Sequence, residues 1–342
     1  MNAYVTALPK AELHVHLLGA ASRTTVAALA ARHPGRGVPS DPAALARYYE
    51  FAGFDHFAEV YTAVNRLVTT PQDVVTLVDG LAADLSAGNV RYAEVTVTPL
   101  SHLKAGIGER ELAEALDTGR QAARGHGVDI AWIFDISGDD GPAAGEATVR
   151  WILRHGPPDT VALGLGGPEH GVPRRLFQPH FATARAAGLR SVPHAGETTG
   201  PAEVWSALTD LRADRIGHGI GAATSPALLD RLAGDGVALE VCPTSNLRTG
   251  VVPTLSAHPL PLLVAAGVPV ALGSDDPGMF GTTLVQEYLI CQQEFALDPA
   301  ELARAAVRAA FCPPATRRRL LVQIDAVARA FKPDAHPPTA PR

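Results

Sequence analysis

Cysteine is scarce in this chain of 342 residues, and its scarcity argues against two kinds of site. The three cysteines, Cys242, Cys291 and Cys312, lie far apart and form no CxxC pair. Neither a disulfide framework nor a thiolate zinc site is therefore indicated. We expect three ordinary buried thiols.

The chain also lacks long apolar runs and an excess of positive charge. No apolar stretch is long enough to cross a bilayer, and residues 1–10 lack the basic start and apolar core of a signal peptide. A formal net charge of -6 argues against nucleic acid or an anionic membrane as the main partner. We expect a cytoplasmic protein that binds a small molecule.

No glycine-rich phosphate loop follows the first apolar run, which argues against an open dinucleotide-binding sheet. Instead, β-branched and apolar runs alternate with segments of helical period. The first run lies within residues 11–17, and the others are Val90–Thr98, Val128–Ser137, Thr160–Gly167, Leu189–Ala195, Asp214–Ile220, Val237–Pro243 and Val268–Ser274. Eight strands in this pattern predict an α/β fold, a (β/α)8 TIM barrel with a helical segment inserted after strand 1.

The inserted segment is predicted as one helix over about residues 43–68. Ser40-Asp41-Pro42 is a typical helix start, with a capping oxygen followed by proline. An aromatic stripe follows at spacings of three and four: Phe51, Phe54, Phe57 and Tyr61. Core packing explains most of such a stripe, while a roof over a pocket is the alternative.

The first strand carries two histidines on one face. The period of two places Leu13, Val15 and Leu17 on one side and His14 and His16 on the other. Two imidazoles on one face at a strand end form half of a metal site. Two structural histidines would give the same local pattern, so the other strand ends decide between these readings.

Functional side chains in a parallel barrel gather at the C-terminal ends of the strands. Strand 5 ends with His194 and strand 8 with Asp275, at the same rim as His14 and His16. These four side chains form a candidate ligand set for a single Zn²⁺. A zinc ion that also binds water lowers the pKa of that water.

Two further residues at this rim suit proton transfer. Glu197 lies three residues beyond His194 and can donate or accept a proton, and His218 can orient or deprotonate a water. A two-metal site with a bridging modified lysine needs a lysine at the end of a central strand. The lysines instead lie before strand 1, after strand 2 and in the tail: Lys10, Lys104 and Lys332. We therefore expect one ion.

Five motifs follow one another along most of the chain. They are KAELHVH at 10–16, HAGE at 194–197, GHG at 217–219, CPTSN at 242–246 and SDDP at 274–277. Each motif alone is a weak signal, but five in this order are specific. Together they resemble the adenosine deaminase branch of the metal-dependent amidohydrolases.

The resemblance implies hydrolytic removal of the 6-amino group from an adenine ring, with zinc as cofactor. It assigns the zinc to four side chains: His14, His16, His194 and Asp275. It implies that Glu197 protonates N1 while His218 positions the attacking oxygen at C6. It also implies that Asp276 bonds N7 and that the backbone N–H of Gly167 contacts N3.

One departure from the family concerns the substrate. Adenosine-specific members usually have Asp or Glu after His-Leu, where it binds the ribose 5′-hydroxyl, but this chain has Leu18. Leucine cannot accept that hydrogen bond, which disfavours plain adenosine. The end of strand 2, at residues 96–99, also lacks an arginine that related sequences tend to carry. Both features resemble the subgroup that deaminates 6-aminodeoxyfutalosine in menaquinone biosynthesis, a nucleoside whose 5′ carbon bears a carboxylated aryl ketone.

Alternatives stay open at this point. Leu18 is also compatible with an adenosine, adenine or other 6-aminopurine deaminase of purine salvage, or the chain is a non-catalytic purine-binding barrel. Intact Glu197 and His218 argue against the last reading. Candidates for binding a substrate carboxylate are Arg23, Arg66, Ser101 and Arg174.

We expect one domain over residues 1–331 and a disordered Pro-rich tail over residues 332–342. The sequence leaves a homodimer open. The remaining histidines are expected to have surface or structural roles, among them His102, His126, His155, His170 and His258.

Overall fold

Eight parallel strands form a barrel in a computed structural model that describes residues 2–331, apart from the side chain of Phe54. The strands follow chain order around the barrel: β1 (Lys10–His16), β2 (Val90–Val97), β3 (Asp129–Ser137), β4 (Thr160–Gly166), β5 (Arg190–Ala195), β6 (Arg215–His218), β7 (Ala238–Val241) and β8 (Val270–Leu272). A parallel bridge between Val15 and Asp275 joins the last strand end to the first strand. The predicted (β/α)8 barrel is confirmed, while the predicted tail lies outside the described residues.

Helices cover the barrel and cap its ends. Within residues 2–331 they are α1 (Ala3–Ala7), α2 (Arg23–Arg32), α3 (Pro42–Tyr48), α4 (Phe54–Asn65), α5 (Pro71–Ala87), α6 (Pro99–Lys104), α7 (Glu109–Ala123), α8 (Gly141–His155), α9 (Gln178–Ala186), α10 (Pro201–Thr209), α11 (Pro226–Asp235), α12 (Pro243–Arg248), α13 (Leu260–Ala265), α14 (Pro277–Phe280), α15 (Leu284–Glu294), α16 (Pro299–Ala309) and α17 (Pro314–Phe331). None of these helices combines the length and the apolarity that a bilayer crossing requires.

Proline and capping residues explain where many of these helices begin. Pro42 and Pro71 occupy first helical positions, where the missing N–H costs no hydrogen bond. The Asp41 side chain accepts from the Ala44 N–H at 2.8 Å, and Thr70 forms a capping box at the start of α5. The predicted helix start at Ser40-Asp41-Pro42 is thus confirmed.

The prediction of one helix over residues 43–68 is wrong. The structure has two helices, α3 and α4, separated by residues 49–53. Gly53 has φ of 144°, which residues with a Cβ rarely adopt, so a single helix cannot run through this position. The break turns α4 across the C-terminal rim of the barrel, where Phe57 and Tyr61 line a cavity.

The two faces of β1 separate as predicted. Leu13 and Val15 are fully buried in the apolar core, while His14 and His16 face the site at the barrel end. Lys10 is the first residue of this strand rather than a residue before it. Its buried ammonium donates to the carbonyls of Val5 and Leu8 at 2.7 and 2.8 Å, which places this charge at the opposite end of β1 from the histidine pair.

Candidate active site

Four of the predicted site residues meet at the C-terminal rim of the barrel. His16 Nε2 lies 3.2 Å from His194 Nε2 and 3.3 Å from Asp275 Oδ1, and His14 Nε2 lies 3.5 Å from the same carboxylate oxygen. A tetrahedral ion with bonds of about 2.0–2.1 Å keeps its ligand atoms about 3.3–3.4 Å apart. The observed separations therefore fit a single small cation.

Hydrogen bonds behind the imidazoles fix which nitrogen faces the cluster. His194 Nδ1 lies 3.0 Å from the Leu165 carbonyl, which can only accept, so this nitrogen carries the proton. His14 Nδ1 lies 2.8 Å from Glu240 Oε2, a carboxylate in turn held by Arg215 Nε at 2.5 Å. Both Nε2 lone pairs are thereby left for the cluster, and His14 Nε2 is buried without a hydrogen-bond partner among the described residues.

The electrostatics of the cluster favour a positive charge at its centre. Burial lowers the pKa of His16 to about 4 and that of His194 well below its usual value, so both imidazoles are neutral. Burial also lowers the pKa of His14, but the facing carboxylates of Asp275 and Glu240 outweigh burial and hold that pKa well above its usual value, so without an ion this position favours a proton on Nε2, the place that a bound cation would take. The carboxylates thus attract a cation, and the neutral rings are in the form that ligates one.

Two other groups lie near the cluster, and one of them, Cys242, is a poorer ligand candidate. His218 is close to His14 and His194, and Cys242 is close to Asp275. Burial holds the pKa of the Cys242 thiol well above its usual value, so the sulfur keeps its proton and ligates weakly. The three cysteines are free and buried, as predicted.

Glu197 and His218 face each other beside the cluster. His218 Nε2 lies 3.6 Å from Glu197 Oε2, and the Glu197 side chain is 12% exposed. Burial, reinforced by the carboxylates of Asp275 and Glu169, raises the pKa of Glu197 to about 8. The raised pKa favours the protonated carboxyl, which is the form that a proton donor requires.

A buried carboxylate sets the position of Glu197. Glu169, in the loop after β4, accepts from the backbone N–H groups of Gly196 at 3.0 Å and Glu197 at 2.9 Å. The hydroxyl of Thr199 donates to it as well. One side chain thereby ties the loop after β4, which includes Gly167, to the loop that bears Glu197.

Of the residues predicted to contact the substrate, two line the cavity and one does not. Gly167 and Asp276 line the same cavity as Glu197, and Asp276 Oδ1 is buried without a hydrogen-bond partner among the described residues. Burial, with the charge of Asp275, holds the pKa of Asp276 well above its usual value. Leu18 is buried and is not among the described residues that line the cavity.

The cavity has a volume of about 530 Å³. Its floor is the cluster with Glu197, and Phe57 and Tyr61 of α4 line one wall, so the pocket-roof reading applies to part of the aromatic stripe. Phe57 also packs against Phe280 at a ring distance of 5.0 Å, which is the core-packing reading.

Sequence reasoning missed Glu240, Glu169 and Asp135. Asp135 is a buried residue of β3 that lines the cavity and accepts from Thr98 Oγ1 at 2.6 Å. Burial raises its pKa to about 6. A lone carboxylate within an apolar strand, as at Glu240 and Asp135, was the available signal, because such a group is buried only with a partner.

Several known proteins are similar to this chain in sequence or in fold. The family model for adenosine deaminase matches residues 9–327. An aminodeoxyfutalosine deaminase of Streptomyces avermitilis is 49% identical over 337 residues, covering 97% of this chain and 94% of that protein. The crystal structure of an adenine deaminase from Arthrobacter aurescens superposes with a TM-score of 0.90 at 28% identity, covering 94% of this chain and 100% of that chain. The crystal structure of an amidohydrolase from Burkholderia ambifaria with bound Zn superposes with a TM-score of 0.89 at 27% identity, covering 97% of this chain and 94% of that chain.

Proposed function

The chain belongs to the adenosine deaminase family, and from this premise we propose that it hydrolytically removes the 6-amino group of 6-aminodeoxyfutalosine. The observation that carries the deaminase chemistry is the close approach of His14, His16, His194 and Asp275 to one another beside Glu197, whose pKa is raised to about 8 by burial. The substrate choice rests on the similar aminodeoxyfutalosine deaminase from Streptomyces avermitilis.

The donor set fits one divalent ion, which we propose is Zn²⁺. Three imidazole nitrogens and one carboxylate oxygen are donors that zinc accepts, and the similar Burkholderia amidohydrolase contains Zn. The ion would be held by His14, His16, His194 and Asp275. When bound there, zinc makes a water nucleophilic at neutral pH by lowering its pKa.

The side chains of this protein manage the protons of the reaction. Glu197 gives its proton to N1 as oxygen adds to C6, which keeps negative charge off the ring. The two protons of the water then go to Glu197, which is restored, and to the amino group, which leaves as ammonia. Asp276 must carry its own proton to donate to N7, and the Gly167 N–H donates to N3, so the purine edge is held in register.

We propose that the mouth of the cavity binds the carboxylated 5′ substituent. Arg66 and Ser101 line the cavity, and so does Lys104, whose ammonium lies 2.6 Å from the exposed Asp140 carboxylate. The two other sequence candidates fit less well. Arg23 lines a separate cavity, and Arg174 is buried behind the wall with a guanidinium N–H on the Gly167 carbonyl.

A panel of 6-aminopurines that differ at the 5′ position tests the proposed function. We expect equimolar hypoxanthine product and ammonia from 6-aminodeoxyfutalosine, with a higher kcat/KM than for adenosine, adenine or methylthioadenosine. A higher kcat/KM for adenosine or adenine would keep the chemistry and overturn the substrate. Tight purine binding without ammonia release would overturn both, leaving a binding barrel.

The Arg66→Ala variant tests the mouth of the cavity. Removing one charge-assisted hydrogen bond, worth about 1.5–3 kcal/mol, should lower kcat/KM for 6-aminodeoxyfutalosine by about 10- to 100-fold. Turnover of adenosine, which lacks the carboxylate, should change little. Arg23→Ala is the matched control, because that arginine lies outside the cavity. Equal losses for both substrates would show that Arg66 does not bind the carboxylate.

A further inference from the structure

A line of hydrogen bonds runs from the protein backbone to the cavity. The Leu260 N–H donates to His258 Nδ1 at 3.0 Å, and His258 Nε2 lies 3.2 Å from Asn246 Oδ1. Asn246 Nδ2 lies 3.3 Å from His218 Nδ1. His258, Asn246 and His218 are 4%, 0% and 1% exposed, so water does not compete for these bonds.

The first bond fixes the direction of all the others. A backbone N–H can only donate, so His258 Nδ1 has no proton and the ring proton lies on Nε2. That N–H needs an acceptor, which orients the amide oxygen of Asn246 toward His258. The Asn246 NH₂ group therefore donates to His218 Nδ1, and the proton of a neutral His218 lies on Nε2.

The donor and acceptor roles in this line of hydrogen bonds require a neutral His258. A doubly protonated imidazole would turn an Nδ1–H toward the Leu260 N–H, donor against donor. Burial lowers the pKa of His258 to about 4, so the ring is neutral at neutral pH. The Phe295 ring packs beside it at 5.9 Å and restricts its rotation.

We propose that His258 and Asn246 are positioning residues that keep the proton of His218 on Nε2, so that His218 serves the cavity as a hydrogen-bond donor and not as a base. The Nε2–H lies 3.6 Å from Glu197 Oε2 and 3.8 Å from Asp275 Oδ2, too far to bond either. The donor is therefore free for an oxygen of the reactants.

Two histidines take more specific roles than the sequence alone indicates. Of the two roles open to His218, orienting the attacking oxygen remains and deprotonating it is excluded, since neither nitrogen can take a proton while the line is intact. A carboxylate must then accept the proton of the water. His258, expected to be a structural histidine, acquires a role in catalysis through the proposed function.

Nuclear magnetic resonance of the metal-loaded protein with ¹⁵N-labelled histidine tests the tautomer without reference to activity. The signal of His218 is identified by its loss in the His218→Gln variant. We expect the Nε2–H form of His218 in the unchanged protein, whether or not it deaminates any purine. An Nδ1–H form would overturn the proposal.

The Asn246→Asp variant tests the line itself. Aspartate has nearly the same shape but no donor, so His218 should acquire a proton on Nδ1, where the unchanged protein has none. Where the ring stays neutral it loses its Nε2 donor, and kcat should fall by about 10²- to 10³-fold, the cost of removing one preorganised donor, with KM and zinc content little changed. A His218 ring that still has no proton on Nδ1 in this variant would overturn the proposal.

A second pair of variants keeps the test decisive if Asn246→Asp folds poorly. His258→Phe preserves a ring beside Phe295 but frees the Asn246 amide to rotate, so both tautomers of His218 should appear and kcat should fall less than in Asn246→Asp. His102→Phe is the matched control, since His102 is also 4% exposed but lies outside the line. A single unchanged tautomer in His258→Phe would overturn the proposal.

Discussion

The Glu197→Gln variant is expected to keep its fold and its metal but to lose about 10²- to 10⁴-fold in kcat. Glutamine has nearly the shape of glutamate but no acidic proton to give to N1. The Glu197 side chain is only 12% exposed, so bulk water is poorly placed to replace the proton donor. Steady-state kinetics on the preferred substrate, with zinc content measured on the same sample, checks this.

The matched control is Glu203→Gln. Glu203 accepts a hydrogen bond from the Arg174 backbone N–H at 2.8 Å and is not among the described residues that line the cavity. Glutamine can accept the same bond, so kcat should stay close to that of the unchanged protein. A loss in Glu197→Gln below about tenfold, short of the range for acid–base catalysis, would argue for a different proton donor.

The pH profile gives a second readout of the same group. Burial raises the pKa of Glu197 to about 8, and the protonated form is the donor. Activity should therefore be retained below this pKa and fall as the pH rises through it. A bound cation favours the ionised carboxylate, so about pH 8 is the upper limit for the fall. The fall should be absent from the residual activity of Glu197→Gln.

The barrel was predictable from the sequence because its signal is local. Each strand is a short apolar run, and each run ends in a polar, glycine-punctuated segment. The error lay in the insertion after β1, where an unbroken helical period across residues 43–68 outweighed a single glycine. Gly53 has a φ of 144°, and a helical period does not show where the backbone takes up such a conformation.

The site was predictable only in part, for a related reason. Once a barrel is assumed, residues at the strand ends are predicted to lie near one another, and this prediction groups His14, His194 and Asp275. The carboxylates that hold these ligands and Glu197 in place cannot be predicted in this way, because their hydrogen-bond partners come from distant parts of the chain. Glu240 bonds a ring 226 positions away, and Glu169 bonds backbone N–H groups that have no sequence signature.

Backbone strain marks the site in a way that the sequence does not. His218 and Asp275 have φ values of 58° and 63°, in the left-handed region that residues with a Cβ rarely enter. Such strain persists where the surrounding contacts over-determine it, often at functional positions. In this protein the strained positions aim one proposed donor and one proposed metal ligand into the same cavity.

The Asp275→Asn variant is expected to lose metal binding, whereas the neighbouring Asp276→Asn variant keeps it. Asn tolerates the left-handed backbone of position 275, so the fold should survive the change. Ser245 Oγ bonds Asp275 Oδ2 at 2.6 Å, which favours the amide oxygen on that side and turns the NH₂ group toward His14 and His16. An NH₂ group repels a cation where the carboxylate bound it.

Zinc affinity separates the two variants. Residues that hydrogen-bond a metal ligand contribute about 10- to 100-fold to metal affinity. Loss of the Asp275 ligand itself should therefore lower zinc affinity by more than about 100-fold and abolish turnover. Asp276→Asn should keep its zinc, and because an amide NH₂ can donate to N7 it should keep more turnover than Asp275→Asn. Equal zinc affinity in the two variants would mean that Asp275 is not a ligand, and the proposed donor set would have to be redrawn around His218.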